Sequence, residues 1–90
     1  MEDIIAISEK HQVPLVADEI YYGYAYDEER PFISFAHVNT TIPIITLGAL
    51  SKIYSVPGWR LGWLIVYNRS NYFDDILDKL KKFVMMNLHP

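Results

Sequence analysis

The segment Leu50-Ser51-Lys52-Ile53-Tyr54-Ser55-Val56-Pro57-Gly58-Trp59-Arg60-Leu61-Gly62-Trp63 places a lysine just beyond one apolar run and an arginine at the head of another. The first run holds Ile44, Ile45, Leu47 and Leu50, and the second extends from Arg60 to Tyr67. A lysine held against apolar walls loses solvation, so its amine is more easily neutral and nucleophilic. The arginine is a permanently charged planar fork of the kind that grips phosphate. The pair suggests a covalently held cofactor that bears a phosphate.

Outward from this segment, the pattern is that of layered helices and strands. Pro43 to Leu47 reads as a strand apolar on both faces, with Lys52 following it. Upstream, Leu15-Val16-Ala17 runs into Asp18-Glu19 as a second such strand, which puts Asp18 at a carboxyl end, where ligands gather in open α/β sheets. Residues 2–12 form a helix with Ile4, Ile5 and Ser8 on one face, ended by Val13-Pro14 because proline cannot continue the hydrogen-bond ladder. Residues 21–42 connect the two strands, with a turn at Arg30-Pro31 and one short helical turn around Phe32, Phe35 and Ala36. Pro57-Gly58 fits the centre of a type II turn, and a turn so short lets the strand from Arg60 to Tyr67 run opposite to the others. The last helix spans Asn71 to about Leu88, capped by Asn71 and with Asp74 near its positive end. Tyr72, Phe73, Ile76, Leu77, Leu80, Phe83 and Val84 give it an apolar stripe at helical spacing. Asp74, Asp75 and Asp78, followed by Lys79, Lys81 and Lys82, face water.

The Ser-Lys and Gly-Trp-Arg-Leu-Gly-Trp wording, with Ala17-Asp18-Glu19-Ile20-Tyr21 upstream, resembles the lysine region of fold-type I pyridoxal-phosphate aminotransferases. Val56 to Trp63 is most similar to the tyrosine aminotransferase branch. The likeness covers essentially all ninety residues but only a modest part of a full-length member. It implies an α/β fold, part of a mostly parallel sheet with flanking helices, so that residues 1–90 form an incomplete large domain binding pyridoxal 5'-phosphate. It also assigns roles. Lys52 is the catalytic Schiff-base lysine, Asp18 the carboxylate on the ring nitrogen, Tyr21 the donor to the cofactor phenolate, and Arg60 the phosphate grip. The substrates implied are an aromatic, tyrosine-like amino acid and a 2-oxo acid, and the whole protein is expected to be a homodimer. Ala49 departs from the pattern, because many relatives carry a hydroxyl residue three positions before the lysine. Alternatives are another fold-type I enzyme (an alanine-type transaminase or a carbon–sulfur lyase) or a truncated, non-catalytic α/β interaction module.

Composition narrows the classes further. Net charge is −3, from 8 basic and 11 acidic residues, and no basic stripe exists to attract nucleic acid. The sequence has no Cys, which excludes disulfides and thiolate metal sites. His11, His37 and His89 lie too far apart to suggest a metal site. No apolar run approaches the roughly 20 residues that span a bilayer, and the acidic start Met1-Glu2-Asp3 is unlike a secretory signal, so a cytoplasmic protein is expected. Half the residues, 51%, are hydrophobic, while a chain this short buries only about 60% of its unfolded surface. The isolated chain is therefore expected to expose sheet faces and edges, to associate or fold poorly, and to lack transaminase activity.

Overall fold

Pro14 sets the first boundary. In the computed structural model, which describes residues 1–87, helix α1 (Glu2–His11) stops three residues before it. Gln12 turns into the left-handed region at φ 53°, and the amide of Val13 donates to the Ser8 carbonyl. Glu2 and Asp3 open the helix while Lys10 and His11 close it, the order its dipole favours. Its inner face buries Ile5 and Ser8, whereas Ile4 remains exposed.

Strand β1 (Leu15–Asp18) then pairs in parallel with β2 (Ile44–Ala49), from Leu15 opposite Ile44 to Asp18 opposite Leu47. β2 passes directly into the single-turn helix α2 (Leu50–Ile53). β3 (Gly62–Tyr67) returns antiparallel to β2, from Ala49 opposite Gly62 to Ile44 opposite Tyr67. Helix α3 (Asp74–Asn87) follows. The sheet is thus mixed, in the order β1-β2-β3, with β2 central and Ile44 fully buried. This is the expected α/β arrangement, including the reversal of the third strand.

Polar side chains fasten the connection between β1 and β2. The Glu19 carboxylate accepts from the Ser34 hydroxyl at 2.8 Å and from the Phe35 amide at 2.9 Å, and Ser34 caps the 3₁₀ turn Phe35–His37. Arg69 donates to the carbonyls of Val38 at 2.6 Å and Ala36 at 3.1 Å. Ser70 reaches the Thr41 carbonyl, and the Thr40 hydroxyl donates to Glu9.

Two local expectations are corrected. Pro57-Gly58 lies in a 3₁₀ turn (Pro57–Trp59), not a type II turn; that turn needs a positive φ at Gly58, and instead Arg60 is left-handed at φ 52°. Asn71 does not cap α3; it is itself left-handed at φ 60°, while Asn68 accepts from the Phe73 amide at 3.0 Å and donates to Asp74 at 2.7 Å. In α3 the acidic residues come first and the lysines later, as expected, and the expected end at Leu88 lies outside the described residues, as does His89.

The largest correction concerns burial. β1 was read as covered on both faces, yet Val16 is 60% exposed, and of the α3 stripe only Phe73 is buried. The molecule is a slab of 41 × 40 × 16 Å with a radius of gyration of 15.1 Å, against about 12 Å for a compact domain of this length. Its accessible surface is 7201 Å², where a folded monomer of 10.5 kDa would expose about 5,400 Å². Its secondary structure is that of a domain; its thickness is close to one layer.

Candidate functional site

Strand direction gathers the candidate residues. β1 and β2 run parallel, so the ends that deliver Asp18 and, through α2, Lys52 lie at one edge of the sheet. β3 runs the opposite way, so its start, just after Arg60, returns to that same edge opposite Ala49. The Leu50 amide donates to the Leu61 carbonyl at 3.2 Å, tying the beginning of α2 to the chain next to Arg60. Tyr21 follows β1 by three residues, and Lys52 Nζ lies 5.8 Å from the centre of its ring.

The four residues differ in how they are held. Asp18 is exposed and accepts from the amide of Ile20 at 3.3 Å, a local turn that leaves the carboxylate facing outward, in contrast with the engaged Glu19 beside it. Glu19 also anchors the edge through its amide, which donates to the Leu47 carbonyl at 3.0 Å. Arg60 folds back, its guanidinium donating to the Pro57 carbonyl at 3.2 Å. Lys52 is exposed, so the apolar walls expected around it are not supplied by these residues; its recorded aromatic neighbour is Tyr21. Ala49 is the N-terminal flank of α2 and provides no side-chain cap there, while Ser51 is half-buried.

Tyr24 also reaches this edge. Its hydroxyl donates to the Lys52 carbonyl at 2.6 Å, and its ring meets Tyr21 edge-on at 5.7 Å. A contact across 28 residues leaves no local spacing signal, so only the tyrosine-rich wording of residues 21–26 pointed toward it. An amine, a carboxylate, a phenol and a guanidinium are thus brought to one edge of the sheet, groups that could between them hold an aldehyde and a phosphate. Among the described residues no cluster of His, Asp and Glu suited to a metal ion occurs, and no helix is long and apolar enough to cross a membrane.

Comparison with known proteins gives a consistent picture. The family model "Aminotransferase class I and II" matches residues 1–88. The tyrosine aminotransferase of Mus musculus is 36% identical over 91 residues, spanning 100% of this chain and 20% of that protein. The solved tyrosine aminotransferase of Leishmania infantum superposes with a TM-score of 0.77 at 38% identity, over 82% of this chain and 20% of its own. The alanine aminotransferase of Pyrococcus furiosus superposes with a TM-score of 0.85 at 28% identity, over 99% of this chain and 22% of its own. The chain thus spans about a fifth of the length of the relatives it matches.

Proposed function

The chain belongs to the class I and II aminotransferase family, and from that premise we propose that it is part of the large cofactor-binding domain of a pyridoxal-phosphate aminotransferase of the tyrosine type. The observation that carries the proposal is the arrival of Asp18, Tyr21, Lys52 and Arg60 at one sheet edge, from three strands of which one is reversed. Their chemistry fits the cofactor. Pyridoxal phosphate, when bound, supplies an electron sink for the substrate α-carbon. Lys52 Nζ is the covalent anchor and, when free, the base that moves the α-proton. The Asp18 carboxylate balances a protonated ring nitrogen, the Tyr21 hydroxyl donates to the phenolate oxygen, and the Arg60 fork takes phosphate oxygens. Only one terminal nitrogen of Arg60 donates to the Pro57 carbonyl, so the other guanidinium N–H groups remain to take phosphate oxygens.

In the whole protein the reaction is transfer of an amino group from an aromatic amino acid to a 2-oxo acid, in a cytoplasmic homodimer. The likeness to the mouse and Leishmania tyrosine aminotransferases supports the aromatic donor. The likeness to the Pyrococcus alanine aminotransferase across 99% of the chain supports a second reading, an alanine-type donor. The exposed apolar surface supports association with further protein. Comparing tyrosine and alanine as donors in the whole enzyme separates the two substrate readings.

The cofactor assignment is tested on the chain itself. Incubation with pyridoxal phosphate, borohydride reduction and peptide mapping should place the reduced adduct on Lys52, and Lys52→Ala should abolish it. Folded protein that takes no adduct at Lys52 refutes the assignment and leaves the interaction module.

A further inference from the structure

We propose that Tyr24 is a positioning residue for Lys52, holding both the main chain that carries the amine and the aromatic ring beside it. The consequence for the cofactor rests on the reading of Lys52 given above; the geometry does not.

Helix α2 has four residues, and a single turn is unstable without tertiary support, because nucleation fixes several dihedrals for one hydrogen bond. Its beginning is held by the bond from the Leu50 amide to the Leu61 carbonyl. At its end the last carbonyls lack intrahelical partners. One of them, that of Lys52, accepts from the Ser55 amide at a long 3.4 Å and from the Tyr24 hydroxyl at 2.6 Å. The 3₁₀ turn Tyr22–Tyr24 is seated against α2 closely enough that a Cβ at Gly23 would stand 3.6 Å from the Ile53 side chain.

The same tyrosine acts on the side-chain side. Its ring meets Tyr21 at 5.7 Å and 75°, the edge-to-face geometry aromatic pairs prefer, and Lys52 Nζ stands 5.8 Å from the centre of the Tyr21 ring. Tyr24, Tyr21 and Lys52 thus form a closed triangle: hydroxyl to backbone, ring to ring, ring to amine. Removing the Tyr24 hydroxyl leaves the Lys52 carbonyl with only the long bond from the Ser55 amide and loosens the tie between α2 and the rings of Tyr21 and Tyr24. Tyr26 packs against Tyr24 at 6.3 Å and is the matched control.

The experiment uses the full chain as wild type, Tyr24→Phe, Tyr26→Phe, and with 4-aminophenylalanine at position 24, which returns a donor to the same place. Two quantities are read by peptide mapping: the share of reductively trapped pyridoxal phosphate on Lys52 relative to Lys10, Lys79, Lys81 and Lys82, and the share of acetic anhydride label at the same five amines without cofactor. Tyr24→Phe should lower the Lys52 share of trapped cofactor by about 2- to 10-fold, the equivalent of one neutral hydrogen bond. It should also alter the Lys52 share of acetylation. Tyr26→Phe should change neither, and the aminophenylalanine should restore both. Selective trapping in wild type that Tyr24→Phe leaves intact overturns the proposal while the cofactor assignment stands. If wild type shows no selectivity, the cofactor assignment falls and acetylation alone decides: an unchanged Lys52 share in Tyr24→Phe overturns the proposal, and a changed, donor-restored share supports it. Should Tyr24→Phe lose the amide protection of β2, the aminophenylalanine form decides, because behaviour identical to Phe refutes a role for the donor.

Discussion

Gly48→Ala is expected to be the most disruptive single methyl in this chain. Gly48 faces Trp63 across the β2–β3 pair, and a Cβ there would stand 2.4 Å from two atoms of the indole and 2.6 Å from a third. Carbon atoms settle at about 3.5–4.0 Å, so the ring must retreat by about 1.1–1.6 Å. Backbone movement would break the ladder between the central strand and its antiparallel neighbour, so the side chain moves instead. Trp63 is 41% exposed and has room to swing outward. The cost is then the lost cover over Gly48 plus an unfavourable rotamer, about 1–3 kcal/mol as for other overpacked sites. Even 1–2 kcal/mol lowers the folded-to-unfolded ratio by roughly 5–30-fold.

Urea unfolding in dilute solution, followed by emission in a Trp59→Phe background, reads both consequences. The midpoint should fall, and the native emission should shift to the red as Trp63 turns toward water. The double variant Gly48→Ala/Trp63→Ala should be less damaged than the sum of the single ones, because the alanine methyl then meets no ring. Gly58→Ala is the internal control: a Cβ there meets nothing within 4 Å, its φ is not positive, and a gain of about 0.4–1 kcal/mol is expected from the stiffer unfolded chain. An unchanged midpoint and unchanged emission in Gly48→Ala would refute the steric reasoning.

Glu19→Ala should cost about 1.5–3 kcal/mol, because the Ser34 hydroxyl and Phe35 amide lose a charged acceptor in a half-buried place; Glu19→Gln, which keeps an acceptor oxygen, should lose less by the same unfolding assay. Asn68→Ala should loosen the entry to α3 by about 0.5–1.5 kcal/mol by removing the acceptor of the Phe73 amide, read as faster amide exchange at Phe73, whereas Asn71→Gly should be tolerated because φ is already positive there. The chain should bind a hydrophobic dye and self-associate in light scattering, and Met85→Glu, at a residue 77% exposed on α3, should reduce both.

How far the sequence could be read follows from the range of each interaction. The three strands were legible because apolar runs and the Pro43 and Pro57 boundaries are local, and the reversal of β3 followed from the shortness of the turn before it. Asp18 and Lys52 at neighbouring strand ends followed from helix-then-strand order alone. The turn at Pro57-Gly58 was misjudged because the left-handed residue is Arg60, two positions beyond the glycine, while the amides of Trp59 and Arg60 bond back to Val56 and Pro57, which the Pro-Gly dipeptide alone does not encode. Asn71 failed as a cap because it is left-handed at φ 60°, and the side chain that ties down the entry to α3 is that of Asn68, six residues before the helix. Tyr24 and Arg69 were opaque for a further reason: their partners lie 28 to 33 residues away.

Burial is where the sequence and the structure part, and the difference is itself informative. An apolar run such as Leu15-Val16-Ala17 states what a strand can tolerate against it, not what is present. The accessible surface exceeds that of a compact monomer of this mass by about 1,800 Å², which is close to the total buried in one standard protein–protein interface. The shortfall reaches the site as well as the faces. Lys52 is exposed, although the chemistry assigned to it works best when its amine is desolvated. The same lack of cover accounts for both, since a chain spanning a fifth of its relatives brings Asp18, Tyr21, Lys52 and Arg60 to one edge of the sheet without closing the space above them. Positioning is therefore encoded within these residues, and exclusion of water is not. Lys52-selective trapping of the cofactor should survive in the chain while transamination is absent, and transamination by the chain alone would show that the cover is unnecessary.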